Sequence, residues 1–151
     1  MGHFWLREYR AADAYDVAHI WRESWLSTGL AVPSAPPEEE FRERIMSEIT
    51  HGWHVCVACF GHRIIGFLAT KPKQRVLDQL FISPSTQGKG IGSALMLAKQ
   101  QMPNGFWLST DAKNERARSF YEKHGLQLQR YEAHPTRGHP TAIYAWNEKG
   151  S

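Results

Sequence analysis

The chain has little cysteine: two residues in 151, Cys56 and Cys59. No second pair is present to complete a zinc site of cysteines. Their CxxC spacing falls in His54-Val55-Cys56-Val57-Ala58-Cys59-Phe60, which reads as a strand. An odd separation on a strand puts the two on opposite faces, so they read as buried structural thiols. No apolar run reaches membrane-spanning length, and Met1-Gly2-His3-Phe4-Trp5 lacks the layout of a signal peptide. The expectation is a cytoplasmic protein without a membrane partner. Charge of neither sign is concentrated. The net charge is +3 with no basic run, so nucleic acid is not implied, although the small excess suits an anionic ligand. The eight histidines are scattered without metal-ligand spacing on any helix face, and no metal is expected. Repeats and low-complexity tracts are absent too.

What is there has an ordinary globular balance, 42% hydrophobic and 22% charged residues. The length fits one domain, residues 1–151, with its own core. One stretch organises the rest, from Val76 to Leu97. Val76, Leu77, Leu80, Phe81 and Ile82 form a short apolar run stopped by Ser83-Pro84, which predicts a strand. From Ile91 the period changes, and Ile91, Ala94, Leu95, Ala98 and Met102 trace one stripe of a helix. Between the two lies Gln87-Gly88-Lys89-Gly90-Ile91-Gly92. Glycines at alternate positions let the backbone approach a ligand, and the first-turn N–H groups of the helix face whatever binds there. That combination is a backbone site for a phosphate or pyrophosphate. A P-loop requires Ser or Thr after Gly-Lys, and the dinucleotide fingerprint requires GxGxxG; neither is present.

Taken in order, Phe4–Tyr9 predicts a first strand. Asp13 can cap a helix that carries Tyr15, Val17, Ala18, Ile20, Trp21 and Trp25. After a proline-rich loop, Glu38, Glu39 and Glu40 form an acidic first turn that complements the dipole of a second helix with Phe41, Ile45 and Ile49 inward. Trp53–Phe60 and Arg63–Thr70 predict a hairpin on the two-residue turn Gly61-His62, next to the Val76 strand and mainly antiparallel. Phe106–Thr110 predicts a strand parallel to the Val76 strand, because a right-handed crossover through the helix joins them. Asn114 can cap a short helix closed by Gly125, with Ala117, Phe120 and Tyr121 on its inner side. Leu126–Glu132 and Ala142–Trp146 are the last two strands. The order is β-αα-βββ-α-β-α-ββ.

Two motifs on these elements resemble the GNAT N-acetyltransferase superfamily. The first is the acyl-CoA loop [QR]xxGx[GA], filled by Gln87, Gly90 and Gly92 after Ile82-Ser83-Pro84. The second is NxxAxxFYxKxG, filled by Asn114, Ala117, Phe120, Tyr121, Lys123 and Gly125. The resemblance covers essentially the whole chain. It implies the α/β (α+β) GNAT acyl-CoA N-acyltransferase fold, a mixed and mostly antiparallel six- to seven-stranded sheet flanked by four helices. It also implies acyl transfer from acetyl-CoA, as co-substrate, to an amine. The Val76 and Phe106 strands would splay, with pantetheine against backbone groups of Leu80, Phe81 and Ile82. The phosphates would sit on Gln87, Gly88, Lys89, Gly90, Ile91, Gly92 and Ser93. Splaying leaves N–H and C=O groups unpaired, and pantetheine amides can pair with them.

The same resemblance makes Tyr121 the proton donor to the departing sulfur, with Phe120 filling the packing slot beside it. Asp78 stands inside an apolar strand facing the cleft and reads equally as the base for the acceptor amine or as a structural carboxylate. Asn114 contacts the cofactor, caps its helix, or does both. In this family the first two helices cover the acceptor end, which here offers Trp25, Ser24 and Ser27, with Trp107 and Tyr144 contributing from the sheet. Trp21 reads as core. The acceptor is a small-molecule or peptide amine of unspecified identity, and the exposed terminal strands fit a homodimer. A non-catalytic acyl-CoA-binding sensor or interaction module of the same fold is the main alternative. A nucleotide binder and a nucleic-acid binder rank below it.

Overall fold

The computed structural model describes residues 3–27, 36–83 and 89–147. Its strands are β1 (Phe4–Glu8), β2 (His54–Phe60), β3 (Arg63–Lys71), β4 (Val76–Ile82), β5 (Phe106–Asp111), β6 (Gln127–Ala133) and β7 (Pro140–Trp146). Its helices are α1 (Ala14–Ser27), α2 (Glu38–Thr50), α3 (Lys89–Gln101) and α4 (Glu115–Lys123). The seven strands form one sheet in the order β1-β2-β3-β4-β5-β7-β6. Every neighbouring pair is antiparallel except β4–β5, which is parallel as the crossover rule requires. The predicted element order is the observed one.

Local chemistry accounts for most boundaries. Gly61 takes a positive φ of 62° in the β2–β3 turn, a conformation that costs glycine nothing. The acidic first turn of α2 stands at the positive end of the helix dipole, and the helix buries Phe41 and Ile45. Asn114 Oδ1 accepts the Ala117 N–H at 3.1 Å and caps α4 as expected.

Helices pack on both faces. On one, Val17, Ala18 and Trp21 of α1 and Phe41 and Ile45 of α2 bury Val55, Val57, Phe67 and Ala69 of the sheet. On the other, Ala94, Leu95 and Ala98 of α3 and Tyr121 of α4 bury Leu77, Phe106, Leu108, Ala142 and Tyr144. Cys56 lies near Gln101 of α3, while Cys59 belongs to the α1/α2 cluster. The two thiols are therefore buried on opposite faces.

Some expectations are corrected. Asp13 does not cap α1. It ends a 3-10 turn (Ala11–Asp13), where its carboxylate accepts the Arg10 backbone N–H at 2.8 Å and both ends of the Arg7 guanidinium. A paired guanidinium from β1 satisfies a buried carboxylate better than a helix terminus does. Tyr15 of α1 is 68% exposed, beneath Arg42, whose guanidinium lies 4.4 Å from the ring centre. No helix among the described residues is long and apolar enough to cross a membrane.

Candidate active site

The sheet is not closed evenly along its middle. β4 runs beside β3 from Lys71↔Val76 to Gly66↔Ile82, and β5 runs beside β7 from Phe106↔Trp146 to Asp111↔Thr141. Between β4 and β5 the register holds only Val76↔Trp107, where the Trp107 N–H donates to Arg75 O at 2.9 Å. Past that point the strands diverge, and the β4 edge toward Ile82 has no strand to pair with. Backbone groups on such an edge need a partner. Leu80 and Phe81 lie half-buried along it.

The helix that follows β4 begins at this open end. Gly90 is buried, Ile91 and Gly92 are half-buried and Ser93 is exposed in its first turns. Gly92 is required by a close neighbour: a Cβ there would come within 3.0 Å of His124 Cε1. The His124 imidazole thus lies against the start of α3. Burial first, then Lys99 and Lys123, hold its pKa below the usual histidine range. Gln87 and Gly88 lie outside the described residues, as does the Lys89 side chain.

Two tyrosines stack beneath the gap on the α3/α4 face, with ring centres 5.9 Å apart. Tyr144 is committed: its hydroxyl donates to Glu122 Oε2 at 2.5 Å and accepts from Arg118 Nε at 3.0 Å. The Tyr121 hydroxyl has no hydrogen-bond partner among the described residues, yet it is not sealed from solvent. Burial pushes the Tyr121 pKa up to about 12. The roles expected of Phe120 and Tyr121 are partly exchanged. Tyr121 is the buried ring of the pair and Phe120 is half-buried. The cause is the short α4, which presents Ala117 and Tyr121, one turn apart, to the sheet.

Asp78 comes from the opposite face. Its Oδ2 accepts the Trp53 indole N–H at 2.8 Å and lies 3.9 Å from Lys71 Nζ. The register fixes its place. Ala69 pairs with Gln79 and Thr70 with Leu77, so Asp78 is the extra residue of a β-bulge. A bulge sends two successive side chains to one side, and Asp78 joins Gln79 on the α1/α2 face. Leu77 faces the α3/α4 cluster, so Asp78 faces the other way by plain alternation, and the bulge is what keeps Gln79 on that side as well before Leu80 returns to the α3/α4 face. Trp53 and Lys71 escaped the sequence reading, because no local pattern joins residues so far apart.

Trp25 and Ser24 are half-buried near the end of α1, with Trp25 against the α1/α2 cluster. Ser27 is exposed and donates its hydroxyl to Ser24 O at 2.7 Å, closing the last turn. Trp107 and Tyr144 do not join them. Trp107 stands where β4 and β5 are still paired, and Tyr144 is fully buried under α4. Parallel β4 and β5 part at their C-terminal ends, which leaves Trp107 at the closed end. Neither cysteine offers a nucleophile: burial raises both thiol pKa values, and both side chains are at most 4% exposed. Among the described residues no group of three or more His, Cys, Asp or Glu side chains can hold a metal ion.

The open end of the sheet thus combines a diverging parallel pair with a glycine-bearing helix start, on a fold where the Tyr121 hydroxyl has no hydrogen-bond partner among the described residues. The model of the acetyltransferase (GNAT) family matches residues 14–126, more than half of the chain. The chain belongs to the GNAT acetyltransferase family. No curated protein matches it by sequence. Solved structures carry the GNAT fold with low identity. One is yncA of Salmonella typhimurium, described as an acetyltransferase with its cofactor acetyl-CoA, at 13% identity and TM-score 0.70 over 95% of this chain and 93% of that one. A second is a phosphinothricin acetyltransferase of Sinorhizobium meliloti in complex with acetyl-CoA, at 22% identity and TM-score 0.72 over 95% of this chain and 87% of that one. A third, from Salmonella typhimurium, modifies the N-terminal serine of a 50S ribosomal subunit protein, at 16% identity and TM-score 0.71 over 95% and 94%. The mixed seven-stranded sheet with four helices is the GNAT fold.

Proposed function

We propose that this GNAT acetyltransferase moves the acetyl group of acetyl-CoA directly to a primary amine of a small molecule or peptide. The observation that carries the reading is the single register pair between β4 and β5, which leaves the rest of the β4 edge open. The residues present fit the cofactor: open backbone groups near Leu80, Phe81 and Ile82, glycines at the start of α3, and a tyrosine hydroxyl with no other partner among the described residues. Two solved neighbours that contain acetyl-CoA support the assignment. Gln87, Gly88, Lys89, Gly90, Ile91, Gly92 and Ser93 would hold its phosphates, and Asn114 serves by fixing the start of α4. When bound, acetyl-CoA supplies an acetyl group already activated as a thioester.

The chain's own groups divide the remaining work. Tyr121 Oη keeps its proton throughout the neutral range, because burial holds its pKa near about 12, and so it is a donor rather than a base. Asp78 takes the opposite part. An alkyl amine is protonated below about pH 10, and a carboxylate can orient it and accept its proton, directly or through a water. Asp78 Oδ1 has no partner among the described residues and is the atom available for this. The two groups lie on opposite faces of the sheet. A gap between strands is where one molecule can meet both. Trp25, Ser24 and Ser27 sit on the α1 side and are proposed to border the acceptor. With no accessible thiol, direct transfer is favoured over an acetylated enzyme.

Thermal unfolding with acetyl-CoA, and separately with ATP and magnesium, tests the reading. A ligand at a hundred times its dissociation constant adds about 2.7 kcal/mol, a shift of roughly 5–10 °C for this size. The expected result is a shift with acetyl-CoA and none with ATP. CoA thiol release is then followed with spermidine, tyramine, kanamycin, an amino acid and a peptide with a free N-terminus. A shift with ATP alone would return the glycine loop to the nucleotide binders. Binding of acetyl-CoA without turnover of any amine would leave a binding module.

A further inference from the structure

Asp78 is held by two devices at once. The backbone of β4 holds it on the α1/α2 face at a bulge, opposite Leu77, and Trp53 fixes one of its oxygens, Nε1 to Oδ2 at 2.8 Å. Trp53 is 5% exposed, and its ring centre lies 5.3 Å from that of Trp21, which packs in turn on Phe41 and Phe67. A ring set in such a cluster has no free rotamer, so its N–H is a fixed donor. A buried indole N–H needs an acceptor, and a backbone carbonyl would serve the fold as well. Here the acceptor is a half-exposed carboxylate on the strand that borders the open cleft, with Lys71 Nζ 3.9 Å from the same oxygen. Both neighbours bear on Oδ2, which leaves Oδ1 without a partner among the described residues.

We infer that Trp53 is a positioning residue for acetyl transfer, fixing Asp78 by Oδ2 so that Oδ1 meets the acceptor amine. The inference rests on the proposed role of Asp78. Trp53 never touches substrate in this scheme. It removes the rotation that would swing the carboxylate off the line of the amine, and a misplacement of about 1 Å at a reacting centre can cost on the order of 10²-fold in rate.

The test is Trp53→Phe, which keeps an aromatic ring in the Trp21 cluster and removes the N–H. It is made in the wild-type and in the Asp78→Asn background, with the amine of highest kcat/KM in the panel above, across pH 6–9. In the wild-type background kcat/KM for the amine should fall by roughly 10- to 100-fold with a distorted pH profile. The thermal shift caused by acetyl-CoA should stay. In the Asp78→Asn background the same substitution should change kcat/KM no further. A wild-type rate in Trp53→Phe beside an impaired Asp78→Asn overturns the inference alone, as does an equal loss in both backgrounds. A wild-type rate in Asp78→Asn overturns the role of Asp78 itself. If Trp53→Phe fails to fold, the Trp53 indole N–H resonance of the wild-type protein takes its place. It should move between wild type and Asp78→Asn and again on titration with the amine, and a stationary resonance overturns the inference.

Discussion

The two halves of the sheet are built by different means. β1 to β4 form a continuous antiparallel ladder, backed by α1 and α2. β5, β7 and β6 form a second ladder that meets the first through one register pair. What joins the halves is the apolar cluster beneath them, where α3 and α4 bury Leu77 of β4 together with Phe106 and Leu108 of β5. Cohesion there comes from burial rather than from backbone hydrogen bonds. The consequence is functional. A continuous ladder would have used the β4 backbone, whereas a seam closed from below leaves it to a ligand.

The stacked tyrosines under the seam give the sharpest way to break this comparison. Tyr121→Phe should lower turnover by about 10²–10⁴-fold with little change in folding stability or acetyl-CoA binding. Tyr144→Phe, which removes the hydroxyl bonded to Glu122 and Arg118, should do the reverse: a loss of about 0.5–1.5 kcal/mol of stability with turnover largely kept. Steady-state kinetics and urea unfolding on both variants decide it. Equal turnover in Tyr121→Phe and wild type removes Tyr121 from the chemistry.

Gly66→Ala probes the ladder side. A Cβ at Gly66 would lie 2.2 Å from Phe81 O and 2.8 Å from Ile82 Cα, both backbone. β4 would have to move off β3, at a cost of about 3 kcal/mol or more, and acetyl-CoA should bind more weakly because the open edge moves too. Unfolding in urea with and without acetyl-CoA measures both effects.

Next in size is an alkaline dependence. The folded pKa of Tyr121 lies above its ordinary value of 10.0, at about 12. Its contribution is therefore complete below pH 10 and is lost as pH rises from 10 through 12, about 2–3 kcal/mol in all. The expected result is that Tyr121→Phe unfolds with a shallower decline than wild type over that window. Parallel declines would mean that the hydroxyl is not held as described.

The smallest effect concerns Asn114. Removing its cap by Asn114→Ala should cost about 1 kcal/mol, read by thermal unfolding. A much larger loss of acetyl-CoA affinity than of stability would show that the side chain also touches the cofactor.

Much of the fold was legible because its signals are local. A cap three residues before its N–H partner, a glycine at a two-residue turn, an acidic first turn and a change of period from two to 3.6 residues are all properties of a few consecutive positions. They set the order of elements, the parallel β4–β5 pair and the glycine-bearing start of α3. The acceptor end was less legible. Trp107 and Tyr144 looked suitable as aromatics on strands, yet strand membership alone does not say which end or which face a side chain occupies.

The sequence by itself determined which elements form, in what order, and where a glycine-bearing helix start follows β4. Tertiary structure decided which way the decisive side chains face. It made Tyr121 rather than Phe120 the buried ring, because α4 presents Ala117 and Tyr121 to the sheet. It set Asp78 at a bulge, outside the register with β3, and it gave that carboxylate a donor 25 residues away in the chain. Periodicity is a property of one strand, whereas a bulge belongs to the register between two. A bond between Trp53 and Asp78 exists only once the chain has folded and both are in place.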